Sequence, residues 1–316
     1  PPELRERLAF VRRVVEDYLP RRFRPMAEVR AGVAGSFLRA DETAVLVQQG
    51  TGATLLSRKD GGLVEQPVVG LLLGSVGPHL AAGDVDGDGI DELLYCTRGG
   101  NWGDREHLRI LSIKEGSAPV ERTRIPMVHA DVRVAVGDLD GDGRPDLAVG
   151  LSYPRRDLRA FRQTPEGDFE PMTPGHFAEI RAENTDARDV AIADLDGDGS
   201  NEVLVAAEGM HLFSAIVYRY AGPERGFRRV HRIRAGPVCS VAVADGNGDG
   251  RPEGYFSMAL RPYYEAEWRY EAFLAQGVYR IDLDSGRPVA APLEVRRRLR
   301  FRVPAEEAAV PFNFGF

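Results

Sequence analysis

Lysine, cysteine and tryptophan are nearly absent from these 316 residues, which hold Lys59 and Lys114, Cys96 and Cys239, and two tryptophans. No apolar run approaches the roughly 20 residues of a bilayer-spanning helix, so no transmembrane segment is expected. Two cysteines are too few for a disulfide scaffold, and neither has the CxxC spacing of a redox or zinc site. They fall in apolar, strand-like runs and read as buried thiols. G-x-S-x-G, P-loop and HExxH motifs are missing, and the six histidines (79, 107, 129, 176, 211, 231) are scattered without metal spacing. Acidic pairs outside the loops described below have no helical or strand framing that would mark them as catalytic. These absences argue against an enzyme of the common hydrolase, nucleotide-binding or zinc classes. No signal-peptide pattern is visible, and the chain begins at Pro1 without an initiator methionine, as it does after removal of an export signal or after trimming.

What is present is one acidic loop written four times. It reads Asp84-Val-Asp-Gly-Asp-Gly-Ile-Asp-Glu92, Asp138-Leu-Asp-Gly-Asp-Gly-Arg-Pro-Asp146, Asp194-Leu-Asp-Gly-Asp-Gly-Ser-Asn-Glu202 and Asp245-Gly-Asn-Gly-Asp-Gly-Arg-Pro-Glu253. Oxygen side chains at positions 1, 3 and 5, a glycine at 6 for the sharp turn and a carboxylate at 9 suit a hard, oxygen-seeking ion of calcium's size. The loops start 54, 56 and 51 residues apart, so the chain is also a repeat protein. Their ligand positions supply fifteen carboxylates; without them the 48 acids fall to 33 against 41 bases, so the net charge of −7 belongs to the loops. About four bound divalent ions would bring the whole chain to about +1. Metal-free, the loops should repel themselves open. Almost all the bases are arginine, a bias that a GC-rich genome produces.

Residues 2 to 19 read as an amphipathic helix, with Leu4, Leu8, Val11, Val14, Val15, Tyr18 and Leu19 at i, i+3, i+4 spacing and Pro20 at its end. One helix beside a β pattern is expected to cap the main domain. From about residue 31 short strands alternate with Gly/Pro-rich turns. Each acidic loop follows an alternating strand (Val132, Val134, Val136; Val190, Ile192; Val241, Val243) and precedes an apolar one (Leu147 to Val149; Val203 to Val205), which places it in a hairpin. Small partners, Ala135, Ala191, Ala193, Ala242 and Ala244, suit strands squeezed between neighbouring sheets. Further strands are expected around Ala160 to Gln163 and Phe169 to Met172.

A repeat of roughly 50 residues with four strands has the size of one β-propeller blade. Gly35 to Val47 falls in the same phase with Ser36, Leu38 and Ala40 at the ligand positions, a hairpin without a metal site. Ala305 to Phe312 resembles Ala40 to Val47 and reads as a sixth hairpin. The expectation is therefore an all-β propeller of six four-stranded blades, with five as the alternative and seven behind both. Residues 1–30 are read as the helix and a closing strand (residues 22–31) that completes the last blade, and residues 31–316 as the propeller.

A D-x-D-x-D-G match alone is shared by unrelated calcium folds. Position 12 discriminates: an EF-hand needs a carboxylate there, and this chain has Tyr95, Val149, Val205 and Phe256. The stretch Val134-Ala-Val-Gly-Asp-Leu-Asp-Gly-Asp-Gly-Arg-Pro-Asp-Leu-Ala-Val-Gly150 resembles the FG-GAP or VCBS repeats of integrin α-like propellers. The resemblance runs over about residues 31–312, strongest in the four acidic repeats. It implies calcium held by Asp84, Asp86, Asp88 and Glu92; by Asp138, Asp140, Asp142 and Asp146; by Asp194, Asp196, Asp198 and Glu202; and by Asp245, Asn247, Asp249 and Glu253. The backbone carbonyls of Ile90, Arg144, Ser200 and Arg251 would join them. It also implies a structural role for the ion, an extracellular or periplasmic location, and partner binding at the strand ends opposite the loops. Two enlarged segments belong there, Arg98 to His107 and Arg261 to Tyr270, and they hold both tryptophans. Trp102, Arg105, His107, Tyr263, Tyr264 and Trp268 are the candidate contacts, since aromatics mixed with arginine make binding hot spots.

The sequence thus points to a non-catalytic, calcium-stabilised binding, adhesion or assembly module for protein or glycan partners. One alternative is a lyase-like, polysaccharide-active enzyme on a calcium-loop propeller. Another is a subunit of an extracellular filament, self-associating through its termini. Arg298, Arg300 and Arg302 alternate with Leu299, Phe301 and Val303 as one solvated strand face, and no nucleic-acid partner is expected.

Overall fold

The computed structural model describes residues 6, 9–11, 13–14, 29–59, 62–71, 73, 79–97, 106–127, 132–152, 156–172, 177, 185–209, 213–234, 238–258, 277–283, 287–290 and 314–315. The chain forms two compact units, residues 1–129 with 295–316, and residues 130–294.

The first unit carries two blades. In the first, β1 (Val29–Gly35), β2 (Ala44–Gln49), β3 (Gly52–Lys59) and β4 (Gly62–Pro67) lie in sequence order, each antiparallel to the next. The second is β5 (Leu80–Gly83), β6 (Glu92–Thr97), β7 (Glu106–Ser112) and β8 (Val120–Met127). The second unit carries three: β9 (Val132–Gly137), β10 (Asp146–Leu151), β11 (Asp157–Gln163) and β12 (Phe169–Pro171); β13 (Thr185–Ala193), β14 (Glu202–Gly209), β15 (Phe213–Tyr220) and β16 (Phe227–Arg234); and β17 (Val238–Ala244), β18 (Glu253–Met258), β19 (Gly277–Asp282) and β20 (Arg287–Ala290). The last strand, β21 (Phe314–Gly315), pairs in parallel with β1. The fold is an all-β propeller of five four-stranded blades with one short helix.

Six blades were the first expectation and five the alternative; five are found. The difference arises at the C-terminus. Phase alone treats every repeat-like hairpin as a new blade, whereas Phe314–Gly315 returns to the first sheet. The expected sixth hairpin, Ala305 to Phe312, and residues 22–28 of the expected closing strand lie outside the described residues. Val29 to Ala31 belong to the first blade, not the last.

Why these residues stack as blades is plain in β14. Val203 and Val205 point to one side, packing with Ala148, Leu158 and Ala160 of the third blade, while Leu204 and Ala206 point to the other, packing with Val241 and Phe256 of the fifth. A strand covered on both faces has to be apolar at consecutive positions, and all five residues from Val203 to Ala207 have no exposed surface. The first strands are closer still to their neighbours, which explains their alternating small residues. A Cβ on Gly35 would lie 2.8 Å from that of Ala82, and one on Gly137 would lie 2.5 Å from Ile192 Cγ2. In the first unit Val11 and Val14 of the N-terminal helix are buried on Val45, Val47 and Leu56, so the helix caps the first blade as expected. Leu4, Leu8, Val15, Tyr18 and Leu19 lie outside the described residues.

Candidate metal centres

Each acidic loop joins the first and second strands of its blade, so all four occupy the same end of their sheets. One backbone frame builds them. The position-1 carboxylate accepts the amides of both glycines, from Gly87 and Gly89 to Asp84 at 2.7 and 2.9 Å, and from Gly141 and Gly143 to Asp138 at 2.8 Å each. Asp194 and Asp245 repeat the pattern with Gly197 and Gly199, and with Gly248 and Gly250. The turn needs positive φ at position 4 as well as 6 (77° and 85° at Gly87 and Gly89), so glycine is required twice in each loop. The position-5 acid accepts the position-7 amide, as from Ile90 to Asp88 at 2.8 Å and from Arg144 to Asp142 at 2.9 Å.

Position 9 does more than the motif says. Glu92, Asp146 and Glu202 are buried, and one oxygen of each accepts the amide of loop position 2, from Val85, Leu139 and Leu195 at 2.9–3.0 Å. The other oxygen reaches the third strand of the blade. Glu92 takes the Ser112 hydroxyl at 2.9 Å, Asp146 the Gln163 amide at 2.9 Å, and Glu202 the Arg219 guanidinium. The residue thus braces the hairpin to the sheet whatever else it binds.

These frames bring three carboxylates together in each of the first three loops: Asp84, Asp86 and Glu92; Asp138, Asp140 and Asp146; Asp194, Asp196 and Glu202. Within each trio the nearest oxygens all lie within 4.8 Å of one another. The electrostatic cost is visible in the acids themselves. Burial, and then the neighbouring acid Asp86, push Glu92 above the ordinary carboxylate range, against the pull of its hydrogen bonds. Asp140 is raised by burial and by Asp142, Asp146 is pushed up to about 6 by burial, and Glu202 is raised by burial. An all-oxygen donor set, crowded and partly dehydrated, fits a hard cation, which would offset both the repulsion and the burial.

The fourth loop differs. Asn247 turns its amide nitrogen onto Asp249 at 2.9 Å and Glu253 at 2.5 Å, Tyr255 donates to Glu253 at 3.3 Å, and Arg280 lies 3.6 Å from it. Asp249 is held below the usual carboxylate range by the Arg251 amide and by Asn247.

Position 8, which the sequence reading passed over, links neighbouring blades. Asp91 accepts the Ser36 amide at 2.6 Å and returns its own amide to the Ser36 carbonyl, and Asn201 donates to the Asp138 carbonyl at 2.6 Å. Loops two and four carry Pro145 and Pro252 there, so no repeat consensus would have revealed it.

At the opposite strand ends of the second unit lies a charged belt that the sequence reading also missed. Arg156 pairs with Asp186 at 3.0 Å across two blades, Arg188 lies 3.5 Å from the same carboxylate, and Arg159 is 3.2 Å from Asp157. Asp189 accepts the Val190 amide and, from the fifth blade, the Val241 amide, each at 3.1 Å. Burial pushes Asp189 up to about 6, against these bonds and the nearby Arg133 guanidinium. Of the candidate partner contacts, His107 is half-buried at the start of β7; Trp102, Arg105, Tyr263, Tyr264 and Trp268 lie outside the described residues, as does the Arg298 to Arg302 stripe. Cys96 is half-buried on β6, and Cys239 is on β17 of the other unit. Among the described residues no helix is long and apolar enough to cross a membrane.

Comparison with known proteins adds the following. No curated protein matches the chain. Among solved structures it is similar to the exotype rhamnogalacturonan lyase YesX (17% identity, TM-score 0.49, 84% of this chain and 49% of that one). It is also similar to the V. cholerae biofilm matrix protein Bap1 (14%, 0.45, 81% and 38%) and to the Bacillus licheniformis rhamnogalacturonan lyase PL11 (15%, 0.42, 84% and 64%). The chain spans less than two thirds of each of these proteins. Residues 138–205, from the start of the second acidic loop through the third, match the family described as FG-GAP-like repeat. The chain is a β-propeller in which residues 138–205 match the FG-GAP-like repeat.

Proposed function

We propose that the acidic loops hold calcium, about four ions in all, and that the ions pin the hairpins of a secreted or periplasmic, non-catalytic module that binds a protein or glycan partner. The observation that carries the reading is the trio of carboxylates within 4.8 Å, repeated in three loops on one backbone frame. In each loop positions 1, 3, 5 and 9 would supply side-chain oxygens and the position-7 carbonyls of Ile90, Arg144, Ser200 and Arg251 neutral ones. Calcium would supply charge neutralisation, and the chain's own residues fix the turn and the brace. The opposite strand ends are where we place the partner, with Trp102, Arg105, His107, Tyr263, Tyr264 and Trp268 as contacts. The belt there supports an acidic partner, since Arg133, Arg156, Arg159 and Arg188 outnumber Asp157, Asp186 and Asp189.

Calorimetric titration of metal-free protein with calcium tests the first part. The expected result is uptake of about four ions and a higher melting temperature; no heat and no change in melting at roughly millimolar calcium would overturn it. Binding to immobilised acidic and neutral polysaccharides, before and after Trp102→Ala and Trp268→Ala, tests the second. Release of an unsaturated uronate, followed by its ultraviolet absorbance, would replace a binding module with a lyase.

A further inference from the structure

The four loops share a backbone but not an electrostatic environment. In the third, Arg219 on β15 stands directly across from Glu202 on β14. Its guanidinium lies on three loop acids: Nε and one terminal nitrogen on Glu202 Oε1 at 2.6 and 2.5 Å, the same terminal nitrogen on Asp196, and the other on Asp198 at 3.1 Å. These are loop positions 9, 3 and 5. The side chain is 30% exposed and the Glu202 side chain 1%, so part of this contact is shielded from water and is stronger than a surface pair. Among the described residues, arginine engages the first two loops less fully. Arg122 pairs with Asp86 at 2.8 Å in the first loop, its Nε turned to Ser112. In the second, Arg144 meets Asp142, outside the trio, and Arg162 is drawn away to Glu170.

Resting on the reading that the loops hold a divalent cation, we infer that Arg219 is a built-in counter-cation of the third loop, competing with the metal and holding that hairpin closed without it. A guanidinium bonded to positions 3, 5 and 9 occupies the oxygens a metal needs, and one positive charge spread over three acids offsets the repulsion that otherwise opens a metal-free loop. Metal entry at this loop therefore requires the arginine to leave, and the loops fill in order, the third after the first and second.

Hydrogen exchange of the full chain, followed by mass spectrometry across a calcium titration, reads each loop separately through peptides covering 84–92, 138–146, 194–202 and 245–253. In the unmodified protein the 194–202 peptide should already be protected in chelator and should reach its calcium-induced limit at a concentration at least tenfold above the first two loops. Arg219→Met should remove the protection in chelator and close the tenfold gap. Arg219→Gln, which keeps a hydrogen-bond donor, serves if the methionine variant does not fold. Equal midpoints for the first three loops in the unmodified protein, or a gap untouched by either substitution, would overturn the inference. If no loop peptide responds to calcium, the calcium reading itself fails and this inference with it, an outcome distinct from equal midpoints.

Discussion

Asp189→Asn isolates one buried carboxylate and should flatten the pH dependence of stability in a calculable window. Asp189 is half-buried at the bulge of β13, its two oxygens taken by the Val190 and Val241 amides. Burial, the dominant effect, raises it from 3.8 to about 6; the two amides and Arg133 pull the other way without cancelling it. Because the folded value lies above the unfolded one, folding favours the protonated acid. Its contribution is fully present below about pH 4 and is lost as pH rises through about 6. A shift of this size corresponds to about 3 kcal/mol, and screening at a half-buried site reduces it to about 1–3 kcal/mol. The amide has no proton to lose. It does leave Arg133 without a facing charge, which costs stability, but Arg133 stays protonated throughout this range, so that cost is a constant offset and not a slope. Urea unfolding between pH 4.5 and 7.5, with calcium saturating so that the loops do not change state, should show the unmodified protein losing about 1–3 kcal/mol more than the variant as pH rises. Parallel curves would refute the reasoning.

Gly141→Ala places a side chain at φ 79° with nothing within 4 Å of its Cβ, so the cost is backbone strain alone, about 1–2 kcal/mol, read as a lower melting temperature and weaker calcium uptake at the second loop. Gly137→Val drives a branched side chain into Ile192, whose Cγ2 already lies 2.5 Å from the Cβ position. It should cost about 1–3 kcal/mol or more in urea unfolding, where Gly50→Ala, with open space around it, should lose only the strain of its positive φ, about 1–2 kcal/mol. Asn201→Ala removes the bond to the Asp138 carbonyl between the third and fourth blades and should lower stability by about 1 kcal/mol, or roughly 2–4 °C in melting temperature, with calcium affinity unchanged.

Hairpins were legible because they are local. The loop spells its own turn, the alternating valines and isoleucine of β9, β13 and β17 spell the strand before it, and the apolar runs of β10 and β14 the strand after. Even the first blade's degenerate hairpin was found by phase, although nothing but its spacing and small residues marked it. Blade number was not legible, since it depends on where Phe314–Gly315 pairs, a two-residue strand whose partner is nearly three hundred residues away. The trios were legible in composition, but the brace at position 9 was not. That the Asp146 oxygens reach Leu139 and Gln163 follows from the turn's shape and the β10–β11 register, neither of which is written in the motif. Arg219 was hidden for a different reason. In a chain whose bases are nearly all arginine, one more on a strand carries no information until the register sets it across from Glu202.

The loops therefore separate two jobs that the motif fuses. The frame of position-1 carboxylate, paired glycine amides and a position-9 carboxylate bonded to the position-2 amide is made of hydrogen bonds inside the chain, and it is present four times irrespective of what faces it. The first blade goes further and docks its hairpin, which has no acid at the ligand positions, to the next blade through Ser36 and Asp91. The hairpin's shape is thus specified by hydrogen bonds within the chain, and on the proposed reading a cation is called for only where acids have been crowded into it. That requirement differs from loop to loop: a hydroxyl at Ser112, a backbone amide at Gln163, a guanidinium at Arg219, an internal amide at Asn247. Calcium removal should accordingly act unevenly, loosening the first and second hairpins while the third and fourth stay closed on their own donors.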